Sequence, residues 1–506
     1  MSRGIRKFGL TYTTKWIIFV ASCYFGFLTL WHLDSVEERV ELMDENRATI
    51  QIPRPRRIDV PILLNGSNDL NAIYVDEPEK HVIAVLVFCA TRDGAIRNHL
   101  QQLINRRPDP NSFPIYVSQD GETSAVRSTI EEFQETAQNI HYLQVNFPVR
   151  SEQRTVFQHK HDSPQTQQQR VAKNYFHIAK HYKWALDRLF ANHSTVLITE
   201  DDLDISADFF SFFTNTRQIL DLDPTVWCIS AWNDNGASTV TDQSRTELLY
   251  RTDFFPGLGW MLKAETWAEL TGKWPDFYWD DWMRQPEVRR NRVCIRPEVS
   301  RTAHNMKLAG KGSSGGLYKS FLASIHLPNQ PVDFSLVDMS RLRKSAYDQT
   351  LRQQLLDAKP ISISELLNNQ FESENTKFDS QFAYRVSYGD PREFRRIARK
   401  FKLMEDVRSG MSRTAYLGVV TFLAPSHVRI YAVHSNFNLT AEEQNSDEIY
   451  DTKWDLMTRF LDFSALYCRP EKWTGKCDPK SPEMIAWFDG RHQRKRLNAW
   501  GEMIVF

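Results

Sequence analysis

Three consecutive acidic residues, Glu200, Asp201 and Asp202, are the feature of the 506-residue sequence that points most directly to chemistry. They follow the apolar run 196–198, which has the character of a buried strand. Adjacent carboxylates repel one another, so such a cluster is tolerated most readily where a cation or a hydroxyl-rich ligand meets it. Oxygen ligands suit hard cations such as Mn²⁺ and Mg²⁺. An isolated acidic triplet is usually a solvated turn, but its place after a buried strand favours a cation site.

A nucleotide-sugar donor would explain a cation at this position. The diphosphate leaving group gains negative charge as its bond to the sugar breaks, and a metal ion can offset that charge. One aspartate would bind the metal while its neighbour binds hydroxyls of the ribose or the sugar. Hydrolysis of a glycoside by Asp202 and Asp280 is an alternative, but the triplet at a strand end makes the metal–diphosphate role the better hypothesis.

A second acidic pair, Asp280 and Asp281, lies inside the aromatic motif 278–282. Aromatic neighbours would desolvate a carboxylate and raise its pKa, which suits a general base that takes a proton from a sugar hydroxyl. The motif taken alone favours a helix N-cap beside core aromatics. Two glycine-containing segments complete the set of candidates. Residues 255–260 could bring the backbone close to a ligand or form a plain turn, and residues 310–316 could form a lid or a surface loop.

Alternating strand and helix patterns predict an α/β fold around these residues. Residues 81–89 form an almost continuous apolar run, typical of a strand in a parallel sheet, and further strands are predicted at 113–117, 140–145 and 195–199. Helices are predicted between them, at 96–106 and 168–190. In such sheets ligands bind beyond the carboxyl ends of the strands, where the acidic triplet lies.

The segment after about residue 331 predicts a smaller α+β subdomain. A helix is expected at 339–357, a strand at 382–387, a helix at 391–401, and two strands at 414–422 and 427–433. From about residue 441 we expect a separate tail.

The N-terminus predicts a membrane anchor. Basic residues at positions 3, 6 and 7 precede an uncharged apolar run, 16–33, whose about 18 residues nearly cross a bilayer. Acidic residues follow it, so the positive-inside rule places residues 1–15 in the cytosol and the rest of the chain on the other side. A cleaved signal peptide is the alternative, but no small-residue cleavage site follows. Residues 34–78, polar and containing several prolines, resemble a stem.

Composition agrees with a lumenal globular protein. The formal net charge is zero, which argues against a nucleic-acid-binding protein. There are six cysteines, and the last four could form two disulfides in an oxidising compartment. N-glycosylation sequons at Asn65, Asn192 and Asn438 agree with a location in the lumen.

Four strings, at residues 200–203, 227–236, 248–260 and 279–284, closely resemble the N-acetylglucosaminyltransferase I family, the α-1,3-mannosyl-glycoprotein 2-β-N-acetylglucosaminyltransferases. The resemblance covers roughly residues 80–435. It implies a GT-A type nucleotide-sugar-binding fold with a mainly parallel sheet, in an enzyme held in the Golgi membrane as a single-pass type II protein with its catalytic domain in the lumen. It also implies an inverting reaction that moves N-acetylglucosamine from UDP-GlcNAc to a mannose of mannose-rich N-glycans on glycoproteins.

The resemblance also assigns roles to individual residues. Asp202 is expected to be the one direct protein ligand to Mn²⁺, and Asp280 to be the catalytic base. Cys228 and Cys294 are expected to form a disulfide. Side chains that bind the donor are expected at six positions: Arg92, Asp120, His181, Glu200, Asp201 and Ser314.

The predicted organisation is a cytosolic tail (1–15), an anchor (16–33), a stem (34–78), a catalytic domain (79–331), a C-terminal subdomain (332–440) and a tail (441–506). Two alternatives to the main function stay open. A protein O-mannose β-1,2-N-acetylglucosaminyltransferase would use the same donor, but the motif around Asp280 and the lack of an extra N-terminal carbohydrate-binding domain disfavour it. A non-catalytic lumenal protein that only binds nucleotide sugars is disfavoured by the intact acidic residues.

Overall fold

A computed structural model describes residues 82–147, 167–309, 318–371, 383–494 and Leu497. All of them belong to one compact unit, Pro78–Phe506. The predicted anchor (16–33), the predicted stem (34–78) and Ser314 lie outside the described residues. Within the part of the chain that is described, no helix combines the length and the apolar character that a membrane span requires.

The strands and helices are numbered here in chain order. The strands are β1 (Ala84–Cys89), β2 (Ile115–Asp120), β3 (Ile140–Val145), β4 (Thr195–Glu200), β5 (Leu203–Ile205), β6 (Val226–Ser230), β7 (Leu249–Thr252), β8 (Trp260–Lys263), β9 (Val293–Pro297), β10 (Thr302–His304), β11 (Lys359–Pro360), β12 (Ala383–Tyr388), β13 (Val407–Arg408), β14 (Met411–Ser412), β15 (Val419–Ala424) and β16 (Val428–His434). The α-helices are α1 (Asp93–Arg106), α2 (Ser124–Thr136), α3 (Gln167–Phe190), α4 (Phe209–Thr216), α5 (Ile219–Leu222), α6 (Ala264–Leu270), α7 (Trp279–Met283), α8 (Pro286–Arg289), α9 (Lys319–Leu322), α10 (Lys344–Asp357), α11 (Ile363–Leu367), α12 (Pro391–Phe401), α13 (Ser446–Ile449), α14 (Lys453–Tyr467) and α15 (Pro482–Asp489). Short 3-10 helices span Thr271–Lys273, Phe334–Leu336, Met339–Leu342 and Pro425–His427.

The larger sheet has the strand order β3-β2-β1-β4-β8-β6-β9-β7. Strands β3, β2, β1 and β4 are parallel neighbours, and β6 is parallel to β9. Strands β8 and β7 run antiparallel to their neighbours. The predicted α/β fold with a mainly parallel sheet is therefore confirmed, and the two antiparallel strands are an addition that the sequence patterns do not reveal.

Strand β1 shows why the sheet forms where the apolar run lies. All six of its residues are buried, and alternate side chains enter different cores. Val85 and Val87 belong to the core that also contains Ile96 of α1. Leu86 and Phe88 belong to the core on the opposite face, built with α3. A strand buried on both faces needs apolar residues at every position, which is the pattern seen in the sequence.

A second sheet, with the order β11-β12-β16-β15, lies in the C-terminal half of the chain. Helix α12 has the predicted bounds 391–401 and packs Phe394 and Ile397 into the core of this sheet. Two predicted elements differ. The strand expected at 414–422 begins only at Val419, because the backbone turns through positive φ angles just before it. The helix expected at 339–357 is a 3-10 turn followed by α10, which starts at Lys344.

The segment after residue 441 is packed against the rest of the unit rather than separate from it. Trp454 of α14 belongs to the core of the second sheet. The buried Arg289 bonds Ser446 at 2.7 Å and Asp447 at 3.0 Å. Further on, a disulfide between Cys468 and Cys477 closes a small cluster formed by α14 and α15.

Candidate active site

The carboxyl ends of β1, β2 and β4 meet at one edge of the larger sheet. The register pairs Phe88 with Glu200, so the residues that follow these two strands are neighbours. The backbone N–H of Asp201 donates to the carbonyl of Phe88 at 3.0 Å, which fixes the acidic triplet beside the end of β1. Arg92 follows β1 and Asp120 ends β2, so together with Glu200 and Asp201 four of the predicted donor-binding positions share this edge.

Arg92 pairs with two members of the triplet. One guanidinium nitrogen donates to Asp202 at 2.7 Å, and the other is bonded to Asp201. The side chain of Arg92 remains one-third exposed, whereas those of Asp201 and Asp202 are buried. Burial raises the pKa of Asp201 to about 6, and the nearby Arg92 charge opposes that rise. The fork of Arg92 therefore offsets the repulsion between two adjacent buried carboxylates.

Glu200 is held from the opposite side by helix α3. The hydroxyl of Tyr182 donates to a carboxylate oxygen of Glu200 at 2.7 Å. Burial, with the charges of Asp202 and Asp201, raises the pKa of Glu200 to about 7, and the Tyr182 hydrogen bond lowers it in part. The same surroundings raise the pKa of Tyr182 well above its usual range, mainly through burial.

Within the described part of the chain, two buried carboxylate oxygens at this edge have no hydrogen-bond partner. They are Oδ2 of Asp201 and Oδ1 of Asp202. A lone pair of a carboxylate that is buried without a donor is costly, and a ligand that supplies positive charge would relieve that cost. Among the described residues, no three acidic, histidine or cysteine side chains converge to hold a metal by themselves.

Asp202 is also fixed by the two-stranded antiparallel sheet of β5 and β10. The backbone N–H of Asn305 donates to the carbonyl of Asp202 at 2.8 Å. His304 ends β10, and its Nδ1 lies 3.9 Å from the Asp202 carboxylate. Burial lowers the pKa of His304, and its ring contacts the edge of the buried Trp232 at 5.9 Å. Sequence reasoning missed His304, because nothing in the local sequence connects it with a triplet about a hundred residues earlier.

His181 connects α3 to β2. Its Nε2 lies 2.7 Å from the hydroxyl of Ser118, and its ring meets Phe88 edge-on at 4.8 Å. Burial lowers the pKa of His181 to about 3, so the ring is neutral and can offer both a donor and an acceptor nitrogen. Asp120 ends the same strand, and burial raises its pKa while the charge of His177 opposes the rise.

The glycine turn beside the site approaches protein rather than open space. Gly257, Leu258 and Gly259 have φ angles of 72°, 50° and 91°, a left-handed run that favours glycine. A Cβ on Gly259 would lie 2.7 Å from a methyl carbon of Thr302. The hydroxyl of Thr302 donates to the carbonyl of Leu258 at 2.6 Å, so the turn and β10 are locked together. The turn thereby supports the strand that carries His304.

Asp280 lies in the first turn of the short helix α7, which is positioned by aromatic stacking. Trp279 stacks on Tyr182 with ring centres 4.4 Å apart and on Trp260 at 5.8 Å. The residue at the N-cap is Tyr278, so Asp280 is not the cap. The expected desolvation of Asp280 is wrong, because its side chain is 40% exposed and pairs with Arg284 at 3.1 Å.

Arg284 begins a series of ion pairs that leads from Asp280 into the protein. It also pairs with Asp281 at 2.7 Å, donates to the carbonyl of Phe255 at 3.1 Å, and is itself buried. Asp281 in turn lies 3.8 Å from Arg408. Anions and cations alternate along the whole series: Asp280, Arg284, Asp281, Arg408, Asp406, Arg413 and Asp234. The two carboxylates at the start of the series, Asp280 and Asp281, are 40% and 41% exposed, so a substrate could reach this end. Sequence reasoning missed Arg408 and Asp406, which come from another part of the chain.

Tyr182 brings the two acidic sites together. Its hydroxyl bonds Glu200, and the charges of both Asp202 and Asp280 act on it. Its ring stacks on Trp279, the residue directly before Asp280. Tyr182 therefore contacts Glu200 of the acidic triplet and the residue next to the exposed aspartate, so the two acidic sites lie near one buried tyrosine. Sequence reasoning missed the role of Tyr182, which directly follows the candidate His181 in the predicted helix 168–190.

The expected disulfide between Cys228 and Cys294 is present, joining the parallel strands β6 and β9. Ser314 lies outside the described residues, and the binding roles of the other positions stay predictions. The structure nevertheless groups them on one side of the sheet.

Residues 68–445 match the family model described as the GNT-I family. A relative from Arabidopsis thaliana, named alpha-1,3-mannosyl-glycoprotein 2-beta-N-acetylglucosaminyltransferase, is 37% identical over 356 residues, which are 70% of this chain and 74% of that protein.

Two solved structures are more distant. The mannosyltransferase PcManGT from Pyrobaculum calidifontis, in complex with GDP-Man and Mn2+, has a TM-score of 0.29 and 16% identity over 42% of this chain and 54% of its own. The S. aureus TarS 1-349 structure in complex with UDP has a TM-score of 0.30 and 10% identity over 63% of this chain and 80% of its own. This chain thus spans about half the length of the first structure. With TM-scores this low, neither likeness bears on function.

Proposed function

The chain belongs to the GNT-I family, and on that premise we propose that it is an inverting glycosyltransferase. It transfers N-acetylglucosamine from UDP-GlcNAc, in β-1,2 linkage, to the α-1,3-linked mannose of a high-mannose N-glycan, the step that opens the way to hybrid and complex glycans. The observation that carries this proposal is that Tyr182 bonds Glu200 of the acidic triplet and stacks on Trp279, the residue directly before Asp280.

Asp202 would hold a divalent cation, for which Mn²⁺ is the candidate, through its buried oxygen without a partner. An anionic hard oxygen fits such an ion, and the neighbouring free oxygen of Asp201 fits a water ligand or a sugar hydroxyl. When bound, the ion supplies positive charge that offsets the charge of the departing diphosphate. Arg92, one-third exposed at the same edge, can add a charge-assisted hydrogen bond to a phosphate oxygen.

Asp280 takes the proton from the 2-hydroxyl of the acceptor mannose. The oxygen then attacks the anomeric carbon from the face opposite the UDP, so an α-linked donor gives a β-linked product. No glycosyl-enzyme forms, and no nucleophilic side chain is required. Arg284 holds Asp280 in place through the 3.1 Å contact, while the exposure of the carboxylate leaves its other oxygen open to the acceptor.

The remaining predicted residues bind the donor. His181 and Asp120 lie where β2 ends and hold the uridine, and Ser314 contacts the diphosphate. Glu200, oriented by Tyr182, faces the donor sugar. The roles follow from the family resemblance, and the shared sheet edge supports them.

We also propose that residues 16–33 anchor the protein in the Golgi membrane, with the catalytic unit in the lumen. The basic residues before the apolar run and the acidic residues after it support this orientation. Two disulfides in the described residues support an oxidising compartment.

A transfer assay tests the function. The purified full-length protein is incubated with UDP-GlcNAc and a Man5 N-glycan, with Mn²⁺ or with EDTA, and an O-mannosyl peptide replaces the glycan in a parallel series. We expect Mn²⁺-dependent transfer to Man5 and little transfer to the peptide. Preferential transfer to the peptide would contradict the acceptor assignment, and donor binding without any transfer would indicate a non-catalytic protein.

A further inference from the structure

Tyr278 is an aromatic residue on the surface beside the proposed catalytic base. Its exposed fraction is 43%, and among the described residues with exposed large hydrophobic side chains it is the only aromatic one. The others are scattered aliphatic residues, which need no special explanation. Asp280 follows two positions later and is itself 40% exposed in its side chain, so both residues face solvent at the start of α7.

The backbone of Tyr278 is held in an unfavourable conformation. Its φ and ψ angles are 50° and 46°, in the left-handed region that glycine and asparagine adopt far more readily than tyrosine. Nothing about the turn itself needs an aromatic side chain, since asparagine would serve it better. Strained residues that persist in a fold cluster at functional sites, so a tyrosine here suggests that the ring has a use.

The ring of Tyr278 is fixed by its neighbours. It contacts Tyr175 of α3 with ring centres 4.4 Å apart, and Phe277 with ring centres 6.5 Å apart. The next residue, Trp279, is locked into the stack with Tyr182. The Tyr278 ring is thus a partly exposed surface that packs on α3, two positions before Asp280.

We propose that Tyr278 is a stacking platform for the acceptor mannose, an inference that rests on the proposed function and assigns its acceptor site. One face of an α-linked mannopyranose carries the axial C3–H and C5–H groups beside the axial glycosidic oxygen, and these C–H groups can pack on an aromatic ring. The axial 2-hydroxyl projects from the other face. Stacking therefore leaves the reacting hydroxyl free for Asp280, which follows in the same turn. A rigid aromatic ring makes such a contact at little cost in conformational entropy.

Kinetics of Tyr278→Asn and Tyr278→Phe in the full-length protein test the platform. Asparagine removes the ring and its contact with Tyr175 but accepts the left-handed backbone, so the two effects oppose each other and the thermal midpoint should change little. We expect the KM for Man5 to rise about five- to tenfold, the worth of a single aromatic contact. The KM for UDP-GlcNAc and the slow hydrolysis of UDP-GlcNAc without acceptor should stay within about twofold of wild type. Phenylalanine keeps the ring and should keep the KM for Man5.

Leu356→Ala is the matched control, because it removes a side chain of similar exposure, 54%, from helix α10. It should change neither KM. An unchanged KM for Man5 in Tyr278→Asn would overturn the platform, as would an equal rise in the KM for the donor. If the wild-type protein transfers nothing to any mannosyl acceptor, the proposed function itself fails. Wild-type transfer with an unaffected Tyr278→Asn refutes the platform alone.

Discussion

Replacing Gly259 by alanine should disturb the candidate site through a single methyl group. The structure gives two separate reasons why the substitution should lower the free energy of unfolding. A left-handed φ of 91° disfavours any Cβ, at about 1–2 kcal/mol. The new Cβ would also lie 2.7 Å from the methyl carbon of Thr302, and such overpacking costs typically about 1–3 kcal/mol. The expected loss of unfolding free energy is therefore about 2–5 kcal/mol.

Two other glycines calibrate this estimate. A Cβ on Gly257, with φ of 72°, would meet nothing closer than 3.7 Å, so Gly257→Ala should show the conformational cost alone, about 1–2 kcal/mol. Gly272 has open space around it, so Gly272→Ala should be neutral or stabilising by up to about 1 kcal/mol. Adding Thr302→Ser to Gly259→Ala removes the clashing methyl and keeps the hydroxyl that bonds Leu258, so the double variant should resemble Gly257→Ala.

Urea unfolding of the four variants gives the stabilities, and donor kinetics give the functional effect. Because Thr302 is in the strand that ends at His304, a displaced Thr302 should also move the surroundings of Asp202 and raise the KM for UDP-GlcNAc. Equal stabilities for Gly259→Ala and Gly272→Ala would refute this reasoning. So would a double variant no more stable than Gly259→Ala, since the clash would then not be with the Thr302 methyl.

Three further variants probe other contacts. Tyr182→Phe deletes the 2.7 Å hydrogen bond to Glu200 and should raise the KM for UDP-GlcNAc about tenfold, whereas an unchanged donor KM would show that this bond does not orient Glu200. Arg289→Met removes the cation that pairs with the buried carboxylate of Asp253, and the free energy of unfolding measured in urea should fall by about 3–5 kcal/mol. Adding Asp253→Asn should restore part of this loss. A loss near zero would contradict the pairing. Burial lowers the pKa of His434 to about 4, whereas histidine in the unfolded chain has its ordinary pKa of about 6.5. As the pH falls, the unfolded chain is therefore protonated first. The contribution of His434 to the free energy of unfolding is complete above about pH 6.5 and is lost as the pH falls towards 4. His434→Phe should therefore reduce the loss of unfolding free energy between pH 7 and pH 4.5 by about 2–3 kcal/mol, and an identical pH profile would contradict the assignment.

Patterns within a short stretch of sequence predict the parallel half of the sheet well. The apolar run of β1 and the exact bounds of β3 and α12 follow from local composition. A strand buried on both faces is apolar at every position, and a helix buried on one face is apolar at regular intervals, so both patterns are visible in the sequence. Strands β7 and β8 carry no such signature. They are four residues each, and their antiparallel pairing depends on neighbours far away in the chain.

The residues of the candidate site also differ in whether a short stretch of sequence reveals them. The acidic triplet is visible because its residues are adjacent, and Asp280 because it lies among aromatics. The supporting contacts from His304 and Arg408 join residues separated by more than a hundred positions, so only the fold brings them together. The exposure of Asp280 could not be foreseen either, since the aromatic residues beside it pack under the helix and leave the carboxylate at the surface.

The proposed function assigns different roles to two aspartates: Asp202 binds the donor through a cation, and Asp280 activates the acceptor. Calorimetric titration of UDP-GlcNAc with and without Mn²⁺, combined with turnover on Man5, separates the two roles in Asp202→Asn and Asp280→Asn. We expect Asp202→Asn to lose the Mn²⁺-dependent part of donor binding, and Asp280→Asn to bind the donor like wild type while turnover is abolished. Normal Mn²⁺-dependent binding by Asp202→Asn, or loss of donor binding in Asp280→Asn, would contradict the account.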